Sequence, residues 1–175
     1  ITTGPKTKEL ERQVAQFCHT SKAVCLNSAT AALELTLHQL GIGPGDEVIT
    51  CAYTYTASAS VVCHVGAKLV LVDCQKDGYQ MDYDALEAAI TEKTKAVIPV
   101  DIAGVICDYD RIFEIVEKKK ALFTPSDNKI QQALGRIAVV ADAAHAFGET
   151  IDGKNVANLG DVSTVSYTHL TLPTI

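Results

Sequence analysis

Apolar residues along this chain come in two alternating rhythms. Short, nearly continuous runs recur at Glu47-Val48-Ile49-Thr50, Leu69-Val70-Leu71-Val72, Ala96-Val97-Ile98-Pro99-Val100, Ile137 to Ala141 and Val162 to Ser166. Runs of that length, bounded by polar or glycine-rich stretches, suit parallel strands covered on both faces. Ala23-Val24-Cys25-Leu26 reads as one more short buried strand, and Pro99 weakens the middle of its own run. Between the runs the apolar positions shift to helical spacing. Pro5 to His19 carries Leu10, Val14, Phe17 and Cys18; a second helix carries Leu33, Leu37 and Leu40. Asn27-Ser28-Ala29-Thr30 opens that second helix, and Gly41, Gly43, Pro44 and Gly45 stop it. Tyr55 to Val65 is a helix of small residues ended by Gly66, and Asp82 caps a helix burying Leu86, Ala89 and Ile90. Asp108 to Lys120 buries Ile112, Ile115 and Val116, and a turn at 125–128 leads to a short helix ending at Gly135. Strand and helix alternate throughout, which predicts a mostly parallel α/β sheet with helices on both faces.

Composition narrows the class without changing that picture. At 175 residues with 47% hydrophobic and 21% charged content, the chain can bury one sizeable core. The formal charge of −6 and the lack of a basic cluster beyond Lys118-Lys119-Lys120, at a helix end, argue against nucleic acid as a partner. Cys18, Cys25, Cys51, Cys63, Cys74 and Cys107 form no CxxC pair. They read as buried free thiols of a reducing compartment, with the cytoplasm as the expected location. No signal peptide or membrane-spanning run is visible, and no membrane partner is expected.

Candidate chemistry gathers where strands end. Val139-Val140-Ala141-Asp142-Ala143-Ala144-His145 puts a carboxylate at the tip of a buried strand, where open α/β sheets place their ligand sites. Such a carboxylate holds a protonated ring nitrogen or merely caps the strand; Asp142 and His145 lack a third residue that would make a metal site. Ser28-Ala29-Thr30, at a helix start, suits a phosphate or a plain N-cap. Tyr53-Thr54-Tyr55-Thr56 follows a strand and offers an aromatic face for a flat ring. Ser166, after the last strand run, adds a hydroxyl for a phosphate or is an ordinary strand-end serine.

Several segments together resemble the DegT-type nucleotide-sugar aminotransferases. They are Ile1 to Lys6, Asn27 to Ala31, Gly41 to Thr50, Ala88 to Thr91 with Thr94-Lys95-Ala96, and Asp142 to Ala146, in the family's order. Within that family the chain looks most like the branch that aminates a UDP-linked 4-keto-pentose to a 4-amino-4-deoxy-L-arabinose. The resemblance implies an α/β fold, the three-layer, mostly parallel sheet of the fold-type I transferase large domain, here truncated to residues 1–166. It implies pyridoxal 5'-phosphate as cofactor. Ala29, Thr30 and Ser166 would meet its phosphate, Tyr55 would stack on its ring, Asp142 would pair with the ring N–H and His145 would lie near its phenolic oxygen. Implied substrates are a nucleotide-linked keto-sugar and glutamate, exchanged with 2-oxoglutarate, in a homodimer serving polysaccharide or lipid modification.

One departure matters for activity. The family carries a lysine five residues after the serine matching Ser166; here Thr171 stands there, and no lysine follows Lys154. No catalytic lysine is therefore assigned, and the chain as written is expected not to transaminate. Val165 to Leu170 also resembles one reading frame of a sequencing adapter, and residues 167–175 are read as a non-native tail. A competing reading is a non-catalytic module that binds cofactor or partner through the same cleft.

Overall fold

The computed structural model describes residues 4–166, so Thr171 and the tail lie outside the described residues. In chain order the elements are α1 (Pro5–Cys18), α2 (Ala29–Gln39), β1 (Glu47–Cys51), α3 (Thr56–His64), β2 (Lys68–Val72), α4 (Tyr83–Ala89) and β3 (Thr94–Ile98). They continue with α5 (Tyr109–Lys118), α6 (Lys129–Leu134), β4 (Ala138–Asp142), a small hairpin of β5 (Thr150–Ile151) and β6 (Lys154–Asn155), and β7 (Val162–Thr164). The main sheet has five strands in the order β2-β1-β3-β4-β7, every pair parallel. The chain steps from β1 outward to β2, then returns to place β3 on the other side of β1. That reversal leaves a crevice outside the strand C-termini, the usual ligand position in such sheets.

Alternation along the strands builds two cores. Ile49, Cys51, Val97, Val139 and Ala141 face α4 and α5, where Leu86, Ile112, Ile115 and Val116 are buried. Val48, Ala96, Ile98, Ala138 and Val140 face α2 and α3, with Leu33, Leu37, Val61 and Val62. Successive side chains point to opposite faces of a strand, so a covered parallel sheet needs apolar residues at every position. All positions of β1 and β4 are accordingly buried. Helix starts are held by side chains: Asp82 accepts from the Ala85 N–H as expected, Ser28 accepts from Ala31 in the cap role weighed beside a phosphate contact, and Asp108 accepts from Arg111. Pro99 falls just past β3, where its missing N–H costs no ladder bond.

Close approach of the last strand depends on one glycine. A Cβ at Gly160 would lie 3.0 Å from the carbonyl oxygens of both Val139 and Val162, which leaves no room for a side chain where β7 joins β4.

Four expectations need correction. Ala23 to Leu26 is no strand: no described strand pairs with it, the Cys25 N–H donates to the Glu11 carboxylate at 2.9 Å, and Val24 is 64% exposed. β2 forms as expected but as the outer strand of the sheet, so only Val72 is buried and Leu71 is exposed. The cysteines are all free thiols, but only Cys18, Cys51 and Cys107 are buried; Cys63 lies on the surface of α3. On α1, Leu10 and Phe17 are exposed despite their helical spacing, because the helix buries only Cys18.

Candidate functional site

At the C-terminal edge of the sheet, a cavity of about 290 Å³ opens between α2, the start of α3 and the ends of β3 and β4. It sits at the crevice that the strand order predicts, at the small end of ligand-pocket sizes. Ala29, Thr30, Tyr55, Asp142, His145 and Ser166 all line it. Sequence positions spread over more than a hundred residues are thus brought together by topology alone. Thr171 lies outside the described residues.

One wall is the N-terminus of α2. Ser28 is extended, its hydroxyl is occupied by the Ala31 N–H, and its carbonyl starts the helix by accepting from Ala32. The amides of Ala29 and Thr30, in the first turn, have no carbonyl of their own helix to reach and sit at the positive end of its dipole. That wall suits a phosphate or other anion.

The opposite wall is the tip of β4. Asp142 is held in place by its backbone, whose N–H donates to the Pro99 carbonyl and whose carbonyl accepts from Asp101. Its carboxylate accepts from the Ser58 hydroxyl at 2.7 Å and from the Ala144 N–H at 3.2 Å. With four lone-pair directions, such a carboxylate retains acceptor capacity for a donor in the cavity. Tyr55 stands at the mouth and is 77% exposed, its ring available as a stacking face.

A strap from Asp101 to Cys107 closes a third side. Asp101 is fully buried and accepts from the Cys107 N–H at 2.8 Å and the Tyr109 hydroxyl at 2.9 Å. Burial pushes its carboxyl up to about 6 against those two donors, with the nearby Asp142 charge adding to the rise. Burial likewise raises the Cys107 thiol and the Tyr109 phenol. Within the strap Ala103 adopts φ 54 and Gly104 φ 79, which turns the Ala103 N–H onto His145 Nδ1 at 3.3 Å. An accepting Nδ1 places the proton of the neutral ring on Nε2.

Two lining residues, Asp101 and Thr54, were given no role in the sequence reading, nor was Ser58 behind them. The hydroxyls at positions 54 and 58 share a helical spacing, a signal that was present in the chain. Their target at Asp142 was not. Among the described residues no cluster of histidine, cysteine or acidic side chains forms a metal site, and no helix is long and apolar enough to cross a membrane.

Known proteins share both sequence and fold with this chain. It is 41% identical over 159 residues to GDP-perosamine synthase of Caulobacter vibrioides, a match that covers 91% of this chain and 38% of that protein. It is 40% identical over 160 residues to UDP-4-amino-4-deoxy-L-arabinose–oxoglutarate aminotransferase of Shewanella sediminis, with 91% and 37% covered. Among solved structures, the Streptococcus pneumoniae protein Spr1654, a candidate sugar aminotransferase solved with pyridoxal and with pyridoxamine phosphate, superposes with a TM-score of 0.93. That match has 59% identity and covers 95% of this chain and 42% of Spr1654. The chain thus spans about two fifths of the length of the relatives it matches. Residues 1–171 match the DegT/DnrJ/EryC1/StrS aminotransferase family, and the chain belongs to that family.

Proposed function

We propose that this chain is the cofactor-binding portion of a pyridoxal phosphate-dependent aminotransferase acting on a nucleotide-linked keto-sugar, with glutamate as amino donor. The observation that carries the reading is the cavity itself, with an anion-binding helix start at one wall and a doubly held carboxylate at the other. The donor set fits the cofactor. The α2 amides of Ala29 and Thr30, with the Thr30 and Ser166 hydroxyls, would hold the phosphate; Asp142 would hold the ring N–H; Tyr55 would cover the ring; His145 would present Nε2–H toward the phenolic oxygen. When bound, the cofactor supplies an electron-withdrawing ring that lets an amino group pass between carbon skeletons. Asp142 would favour a protonated ring nitrogen, and Tyr55 would offer its ring as a stacking face.

Similar identity to relatives named for different sugars supports the enzyme class without choosing the sugar. The family's homodimer is likewise part of the proposal for the whole protein. For the polypeptide as written, Thr171 supports binding without turnover. The test is fluorescence titration of the full chain with pyridoxamine 5'-phosphate, which needs no lysine, against pyridoxamine lacking the phosphate. Saturable binding that weakens at least tenfold without the phosphate is expected; equal or absent binding overturns the reading. Mixing the chain with glutamate and a nucleotide keto-sugar should give no amino-sugar.

A further inference from the structure

Behind Asp142 lies a pair of hydroxyls to which the family resemblance assigned no role. Ser58 sits on the inner face of α3 and is fully buried. Its hydroxyl is 2.7 Å from Asp142 Oδ2 and 2.9 Å from the hydroxyl of Thr54, four residues earlier in the turn before α3. Counting protons fixes the direction. A carboxylate whose oxygens both accept has no proton to give, so Ser58 spends its single proton on Asp142. The bond between Ser58 and Thr54 then takes its proton from Thr54. We infer that Thr54 and Ser58 are positioning residues, forming a one-way relay, Thr54 to Ser58 to Asp142, that orients the Asp142 carboxylate and keeps it an acceptor toward the ring nitrogen of the cofactor. This rests on the cofactor reading above.

Two consequences distinguish the relay from ordinary packing. Removing the Ser58 hydroxyl leaves Oδ2 without its protein donor, so the carboxylate loses both its fixed rotamer and a contact that favours its charged form. The proton shared with the ring nitrogen then moves toward Asp142. Thr54 lines the cavity with its own proton already committed to Ser58, so it meets a bound molecule only as an acceptor. Asp142 and Thr54 together therefore present acceptors along one wall, matched to a ligand that offers N–H or O–H groups there.

The test titrates pyridoxamine 5'-phosphate, labelled with ¹⁵N in the ring, into the full chain and its variants. Ser58→Ala is expected to weaken binding roughly tenfold or more, and to move the bound ring ¹⁵N resonance toward its unprotonated position between pH 6 and 8. Ser58→Thr, which keeps the hydroxyl, should restore both, and the near-isosteric Thr54→Val should move both in the same direction by less. A merely structural role for Ser58 would lower the melting temperature without shifting the resonance. Wild-type-like affinity and resonance in Ser58→Ala overturn the relay while leaving the cofactor reading intact. No binding by the wild-type chain overturns both. Should Ser58→Ala fail to fold, the resonance in Thr54→Val decides: unchanged, it overturns the relay.

Discussion

The two ends of the central strands use polar residues in opposite ways. At the N-terminal end they close on one another. Glu47, at the start of β1, is buried against Lys68 at 2.8 Å and the Thr91 hydroxyl at 2.6 Å. Asp161, before β7, grips Arg136 through paired contacts of 2.7 and 2.8 Å and also accepts from the Val139 N–H. The Arg136 guanidinium lies over the Phe113 ring at 4.9 Å. Each of these charges has its partner within the chain. At the C-terminal end Asp101, Asp142 and Thr54 are held just as firmly but around a void. The lesson concerns arrangement: a bidentate pair ends a strand, whereas a carboxylate braced from behind leaves its front for something else.

Substitutions sort by end, and the largest effect falls on the closed one. Asp161→Ala strips the Arg136 fork and leaves a mostly buried guanidinium with only the half-exposed Glu117, at 3.4 Å, as its charged partner, at a cost of roughly 3 kcal/mol in a denaturant melt. Its folded fraction should still bind pyridoxamine 5'-phosphate with wild-type affinity. A change in that affinity would break the division between ends.

Next comes the pH dependence of Asp101. Its folded value of about 6 lies above the ordinary 3.8, so its contribution to stability is complete below about 4 and is lost as pH rises through 6. The loss amounts to at most about 3 kcal/mol. Asp101→Asn should flatten that part of the stability profile between pH 4 and 7. An unchanged slope would mean that the strap carries no titrating acid.

The smallest effect sharpens the contrast from inside the site. Ser28→Ala removes the cap of α2 and should cost about 1 kcal/mol. Fraying of the first turn should also weaken phosphate-dependent binding a few-fold. A melt that falls with no loss of phosphate discrimination would assign Ser28 to stability alone.

What the sequence disclosed follows from how local each cause is. Asp82 caps its helix by reaching three residues ahead, so the pattern around it sufficed; Ser28 and Asp108 reach equally far, and the start of each helix was legible though the cap itself was not singled out. Asp142 announced itself because a strand tip is visible in the run before it. Ala23 to Leu26 misled because apolar runs make strands only where a neighbour takes their backbone bonds, and a neighbour is not a property of the run. Leu71 shows the same limit, since an outer place in the sheet is set by topology. Ser58 was hidden most thoroughly: its partner lies 84 positions away, and a small residue in a helix of small residues looks like packing.

Ala103 carries a consequence of a different kind. The group that orients His145 there is a main-chain N–H, and every residue type except proline possesses one. Proline is excluded anyway, because its ring cannot reach a φ of 54. The instruction therefore resides in a torsion angle, and side-chain identity at 103 is nearly silent about it. Glycine would satisfy the same angle with less strain. The geometry of the turn is what persists, and a comparison of residues alone would pass over it.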